Sequence, residues 1–175
     1  MDSFLEEQFI RELKIQCSFA TFALEDIHAA LASHGQVDRL WFSVQNFLNS
    51  AANLSKMLWP VKAEYADRGE FLRNKLGIEE DSPLKSRKVR NCFEHFDEHL
   101  HEWIASLDSH NLIDRNVGPA KIWCPSGNFE NDKKYFLRNF DQSNFELLFR
   151  GKVYELGPVI QEIQCIVDRV NKLNS

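Results

Sequence analysis

Residues 87–103 read RKVRNCFEHFDEHLHEW, a stretch that places three histidines, four acidic residues and three basic ones on what the flanking pattern makes a single helix. Ser82-Pro83, just ahead of it, has the form of a helix N-cap followed by proline at the first helical position. Leu84, Val89, Cys92, Phe93, Phe96, Leu100, Trp103, Ile104 and Leu107 are the packing positions of a helix running from Ser82 to about Leu107. A solvated helix face accounts for the charges by themselves. Two sharper readings compete for the histidines: an arginine/histidine pair in RNCFEH and a metal-ligand spacing in HFDEH.

The rest of the chain supplies the elements against which such a helix would pack. From Phe4 to about Ala32, Phe4, Leu5, Phe9, Leu13, Cys17, Ala20, Phe22, Ala23, Leu24, Ile27 and Leu31 recur at helical spacing, and SHGQVD interrupts them. Asp38 can cap a second helix whose apolar stripe runs from Leu40 to Leu58 and stops at Trp59-Pro60. A shorter helix is predicted over Ala63–Leu76, interrupted in propensity by Gly69 and closed by Gly77. After Asp108 the chain is too rich in breakers for a long regular element and reads as an ordered excursion over the bundle. KKYFLRNF and NFELLFRGKVYEL flank the turn-like Asp141-Gln142-Ser143-Asn144, which predicts an antiparallel hairpin, with Gly151 as a bulge or a second turn. Helical spacing returns from about Leu156 to Leu173. The fold class is therefore mainly α: one domain over 1–175, a helical bundle with a small antiparallel β-hairpin, about 134–155, inserted before the C-terminal helix.

Composition sets the function classes. With 175 residues, 43% of them hydrophobic, the chain can bury a sizeable core as one domain. A formal net charge of -5 argues against coating nucleic acid or membrane non-specifically, so any RNA site must be a local basic patch. Cys17, Cys92, Cys124 and Cys165 form no C-x-x-C pair, and reduced thiols are expected. The N-terminal MDSFLEEQFIREL lacks the basic then apolar order of a secretion signal, and no run of about 18 apolar residues occurs. A cytoplasmic protein without a membrane partner is the expectation.

RNCFEH resembles the signature of the HEPN superfamily (higher eukaryote and prokaryote nucleotide-binding domains), in which Arg, a polar residue and then His lie on a late helix of an all-α bundle. SAANLSKMLWP, SPLKSRKVRNCFEHFDEHLHEW and FRGKVYEL together are similar to an uncharacterised bacterial HEPN-like branch. The resemblance implies a metal-independent endoribonuclease, with a role in toxin–antitoxin or defence systems, without cofactor, and with an antitoxin protein among its candidate partners. His95 would be the general acid or base. Arg90 would be a fixed fork of donors on the phosphoryl oxygens, and Asn91, one turn before His95, would orient the imidazole or contact phosphate. On one ideal helix Arg90 and His95 point about 140° apart, an objection that disappears if two motif helices face each other. The resemblance implies such a homodimer.

Lys85, Arg87 and Lys88 precede the motif as the candidate RNA-binding cluster, and they serve equally well as a solvated helix face. Asn53 and Lys56 on the second helix, and His99, are candidate accessory residues. His95-Phe96-Asp97-Glu98-His99 satisfies H-x-x-E-H, the inverted zinc-peptidase spacing, and a zinc hydrolase is a third option that requires a ligand from elsewhere. Against ribonuclease stands a catalytically silent HEPN-like module that binds nucleotide, RNA or protein, because fold alone confers no chemistry.

Overall fold

In the computed structural model, which describes residues 2–33, 35–86 and 93–173, the chain is mainly helical with a small four-stranded sheet. Helix α1 spans Ser3–Ala32, started by the Asp2 side chain accepting from the Leu5 N–H at 2.9 Å. Helix α2, Val37–Leu58, packs back along it as a hairpin. Leu13, Cys17, Ala20, Ala23 and Ile27 of α1 are buried in the same core as Leu40, Val44, Phe47, Ala51, Leu54 and Leu58 of α2. Three or four residues separate these positions, so each helix turns one apolar stripe inward. Phe4 and Phe22, included in the predicted stripe, are instead 70% and 58% exposed.

A 3₁₀ turn at Ala63–Tyr65 leads into α3, Ala66–Leu76. Gly77 ends it in the left-handed conformation at φ 58°, as a C-terminal glycine should. Gly69 has a packing reason for lacking a side chain, since a Cβ there would stand 2.5 Å from Pro60 Cδ and 2.6 Å from the Leu58 carbonyl oxygen. Gly69→Ala is therefore expected to lower stability by about 1–3 kcal/mol, despite alanine's better helix propensity. Urea unfolding of the two proteins checks this, and a stabilised variant would contradict it.

The continuous helix expected from Ser82 to Leu107 is not formed. Pro83–Lys85 is a single 3₁₀ turn, Ser86 is extended at φ -67° and ψ 122°, and His95 leaves the helical region at φ -116° and ψ 42°. Among the described residues Phe93 and Glu94 are helical, and beyond the turn at His95 helix α4 spans Phe96–Ser106. Tertiary contacts override the local signal at both ends. Ser82 does not cap the turn with its hydroxyl, which donates to Glu162 at 3.0 Å, and Leu84 is buried beside it. Phe93 and Phe96 both settle on Phe149, with ring centroids 5.5 and 6.5 Å away. Trp103, Leu137 and Phe149 consequently form a second small core in which α4 covers the sheet. Ile104, expected to pack, is 52% exposed.

The β insertion is larger than a hairpin. Its strands are β1, Asn116–Val117; β2, Arg138–Asp141; β3, Glu146–Phe149; and β4, Lys152–Glu155, in the order β1-β2-β3-β4. The predicted turn joins β2 to β3, with Asp141 accepting from the Ser143 N–H at 2.9 Å. Gly151 belongs to a second turn: Arg150 and Gly151 have φ 48° and 74°, the pair of positive values that a two-residue I′ turn needs. β1 comes from the excursion and pairs parallel with β2. The excursion is ordered by Asp132, which is 3% exposed and accepts from the Ser126 N–H at 2.7 Å and its hydroxyl at 2.8 Å within and beside the short α5, Phe129–Asp132. Arg138 holds its other end through paired bonds of 2.8 and 2.6 Å to Asp114. Helix α6, Gly157–Lys172, then closes the bundle with Ile163, Ile166 and Val170 against α1. Among the described residues no helix is long and apolar enough to cross a membrane.

Candidate functional site

His95 sits at the N-cap position of α4 with its side chain 59% exposed and its Nδ1 3.9 Å from Glu98. The backbone turn at His95 moves it off the helix on which the motif was read. Arg90 and Asn91 themselves, with Arg87 and Lys88 of the basic cluster, lie outside the described residues.

Helix α2 faces the motif segment, and it does so through Lys56. The Lys56 ammonium donates to Glu94 at 2.6 Å, which brings a cation from α2 to the residue directly before His95. Both partners are partly exposed, so the pair contributes little to stability and its interest is positional. Asn53, one turn earlier on α2, is directed elsewhere: its amide donates to Gln16 of α1 at 3.2 Å. Of the two α2 candidates, Lys56 is the one seen to reach the motif segment among the described residues, at Glu94.

Lys85 is engaged with the segment that precedes its turn. It donates to Glu80 at 2.8 Å, and Arg73 meets the same carboxylate at 2.6 Å. The Lys85 ammonium first, and then the Arg73 charge, hold the Glu80 carboxyl below its ordinary range. Lys85, the member of the cluster among the described residues, is thus paired at the surface.

His99, on α4, is turned toward the sheet. Its Nδ1 accepts from Arg150 at 2.7 Å, the only polarity that a guanidinium allows, and its ring stands edge-on to Phe149 at 5.7 Å. Arg150 also donates to Glu102 at 2.7 Å, and that bond holds the Glu102 carboxyl below its ordinary range. The two histidines of HFDEH are thus drawn into different surroundings. Among the described residues no three His, Cys, Asp or Glu side chains are placed to hold a metal ion, so the donor set that zinc requires does not fit there. Burial pushes the Cys17 thiol up to about 12, which removes it as a nucleophile.

One feature near the motif carried no signal in the sequence. A cleft of about 360 Å³ opens between α2, the 83–86 turn, β4 and the start of α6, and Ser55, Ser86, Tyr154 and Pro158 are among its lining residues. Ser43 and Ser50 of α2 turn their hydroxyls back to carbonyls four residues earlier, at 2.9 and 3.0 Å. Ser55 does not: it is 4% exposed and its Oγ has no hydrogen-bond partner. Three serines on one helix are indistinguishable in sequence, and only the packing separates the third. None of the protein families, curated proteins or solved structures compared with the chain matches it.

Proposed function

We propose that the chain is a metal-independent endoribonuclease of HEPN type, whose site combines Arg90 of one copy with His95 of another in a homodimer. The observation that supports the reading is the Lys56–Glu94 bond: it brings a cation of α2 to the residue directly before the exposed His95. Cleavage needs a base for the ribose 2′-OH, an acid for the departing 5′-oxygen and positive charge on the phosphorane. The 2′-oxygen forms a bond to phosphorus as the bond from phosphorus to the 5′-oxygen breaks. A proton leaves the 2′-OH to the base and another reaches the 5′-oxygen from the acid, leaving a 2′,3′-cyclic phosphate and a 5′-hydroxyl. His95 supplies one of the two proton transfers, Arg90 the fork of donors on the phosphoryl oxygens, Asn91 a contact to phosphate or imidazole, and Lys56 further positive charge. A role in RNA restriction, held in check by an antitoxin protein, accords with this chemistry.

The 360 Å³ cleft favours a second reading, a silent module that binds a nucleotide or RNA without cutting it. Incubation of the purified protein with end-labelled RNA in EDTA separates the two. Fragments ending in 2′,3′-cyclic phosphate are expected. Retention of RNA without cutting supports the binding module and contradicts the ribonuclease.

A further inference from the structure

β4 is an edge of the sheet, and its register decides which of its backbone groups are left over. Phe149 and Lys152 close the two-residue I′ turn, which makes them a hydrogen-bonded pair. Such pairs alternate along an antiparallel ladder, so Leu147 with Tyr154 is the next. The Leu156 N–H, donating to the Phe145 carbonyl at 2.9 Å, continues the alternation. Val153 and Glu155 therefore stand in the pairs between, with their N–H and C=O groups directed away from β3 to the open edge. Among the described residues neither makes a backbone hydrogen bond beyond the sheet, and Val153 is 49% exposed. The edge thus offers two donors and two acceptors at alternate positions, the groups with which an added strand pairs.

The two faces beside that edge differ in chemistry. Side chains alternate along a strand, so Val153 and Glu155 lie with Leu148 and Glu146 on the face away from the helical core, and Tyr154 lies with Leu147 on the core side. On the core side β4 borders the 360 Å³ cleft, whose lining includes the apolar Ala52, Pro83, Leu84 and Val159. On the outer face Glu155 stands directly opposite Glu146, which destabilises a sheet, and among the described residues neither carboxylate has an ion-pair partner. We propose that β4 is the docking edge for an extended peptide of a partner protein, added antiparallel, with a basic residue opposite Glu155, a large aliphatic residue opposite Tyr154 and a β-branched residue opposite Val153. The basic side chain answers the two carboxylates, the aliphatic one turns into the cleft, and the β-branched one covers Val153. A second copy of β4 answers the charge less well. Pairing through the outward groups would set Gly151, Val153 or Glu155 of that copy opposite Glu155, and Lys152 would fall on the other face. The assignment is independent of the ribonuclease reading, since no group given a part in cleavage lies on β4.

Anisotropy titration of the full chain with the fluorophore-labelled peptide STKLVTS, its ends blocked, tests the assignment. Saturable binding is expected, about fivefold tighter than that of STELVTS and about tenfold or more tighter than that of STKDVTS. N-methylation at the valine removes a donor aimed at β4 and should weaken binding about tenfold, whereas N-methylation at the leucine, whose N–H faces outward, should leave it within about twofold. On the protein, Val153→Pro removes the outward N–H, a change that an edge strand tolerates, and should also weaken STKLVTS about tenfold. Glu155→Lys exchanges an opposed carboxylate for a pair with Glu146, so the fold is kept, and it should reverse the preference between STKLVTS and STELVTS. No binding of STKLVTS by the parent chain, equal losses from the two N-methylations, or an unreversed preference in Glu155→Lys would overturn the proposal. Dissociation of a dimer by Val153→Pro, without peptide binding to the parent, would assign the edge to a second copy and overturn it as well.

Discussion

His95→Ala is expected to lower RNA cleavage in EDTA by about 10²–10⁴-fold, the usual loss when a positioned acid or base is removed. The folded protein should be nearly unaffected, because the His95 side chain is 59% exposed and is absent from both hydrophobic cores. That combination, lost turnover with an unchanged melting curve, separates chemistry from architecture. His101→Ala provides the control: His101 is exposed on the same helix two positions beyond His99 and should retain activity within about twofold. Equal activity of the His95→Ala protein would place the proton transfer on another residue.

Phe140→Ala is expected to produce the largest loss of stability, about 3–5 kcal/mol. Phe140 is 0% exposed, stands edge-on to Phe145 with centroids 5.6 Å apart, and lies on the sheet face that meets the helical core. Removing its ring takes apolar area from the junction between sheet and bundle and leaves a cavity that neighbours on two layers cannot both fill. For a chain of this size the effect corresponds to a fall in Tm on the order of 10 °C. Phe42→Ala makes the contrast, since Phe42 is 62% exposed and its loss should stay within about 0.5 kcal/mol. Thermal unfolding of both proteins measures the difference, and similar melting of the two would show that the sheet does not share the helical core.

Periodicity made α1, α2 and α6 legible, because each buries a stripe at three- and four-residue spacing against the same core. Gly77 and the Asp141–Asn144 turn were legible because left-handed caps and Asx turns demand particular residues. The Ser82–Leu107 helix was misread for a reason that no local pattern reveals. Ser-Pro has the form of a capped start, yet the Ser82 hydroxyl is engaged by Glu162, eighty residues away in the chain. β1 was invisible for the same kind of reason: two residues carry no alternation, and only their parallel pairing with β2 makes them a strand. Exposed Phe4 and Phe22 show the limit of counting apolar positions, since a broad stripe on a helix does not say which edge remains in water.

The candidate site was legible in part. His95 is open to solvent and Lys56 reaches its neighbour, both from residues singled out by type and spacing. Asn53 and His99 share those merits in sequence but are drawn to Gln16 and Arg150 by partners that only the fold supplies. Ser55 gave no signal at all, because three serines on one helix look alike until one hydroxyl is found buried without a partner.

The composite site is tested most directly by mixing Arg90→Ala and His95→Ala proteins, after subunit exchange has been verified by mass, and measuring cleavage of labelled RNA in EDTA. Random pairing makes half of the dimers mixed, and each mixed dimer has one intact site of two, so about one quarter of the parent activity is predicted. Activity no greater than that of either variant alone, in a mixture shown to contain mixed dimers, would contradict a site shared between two copies.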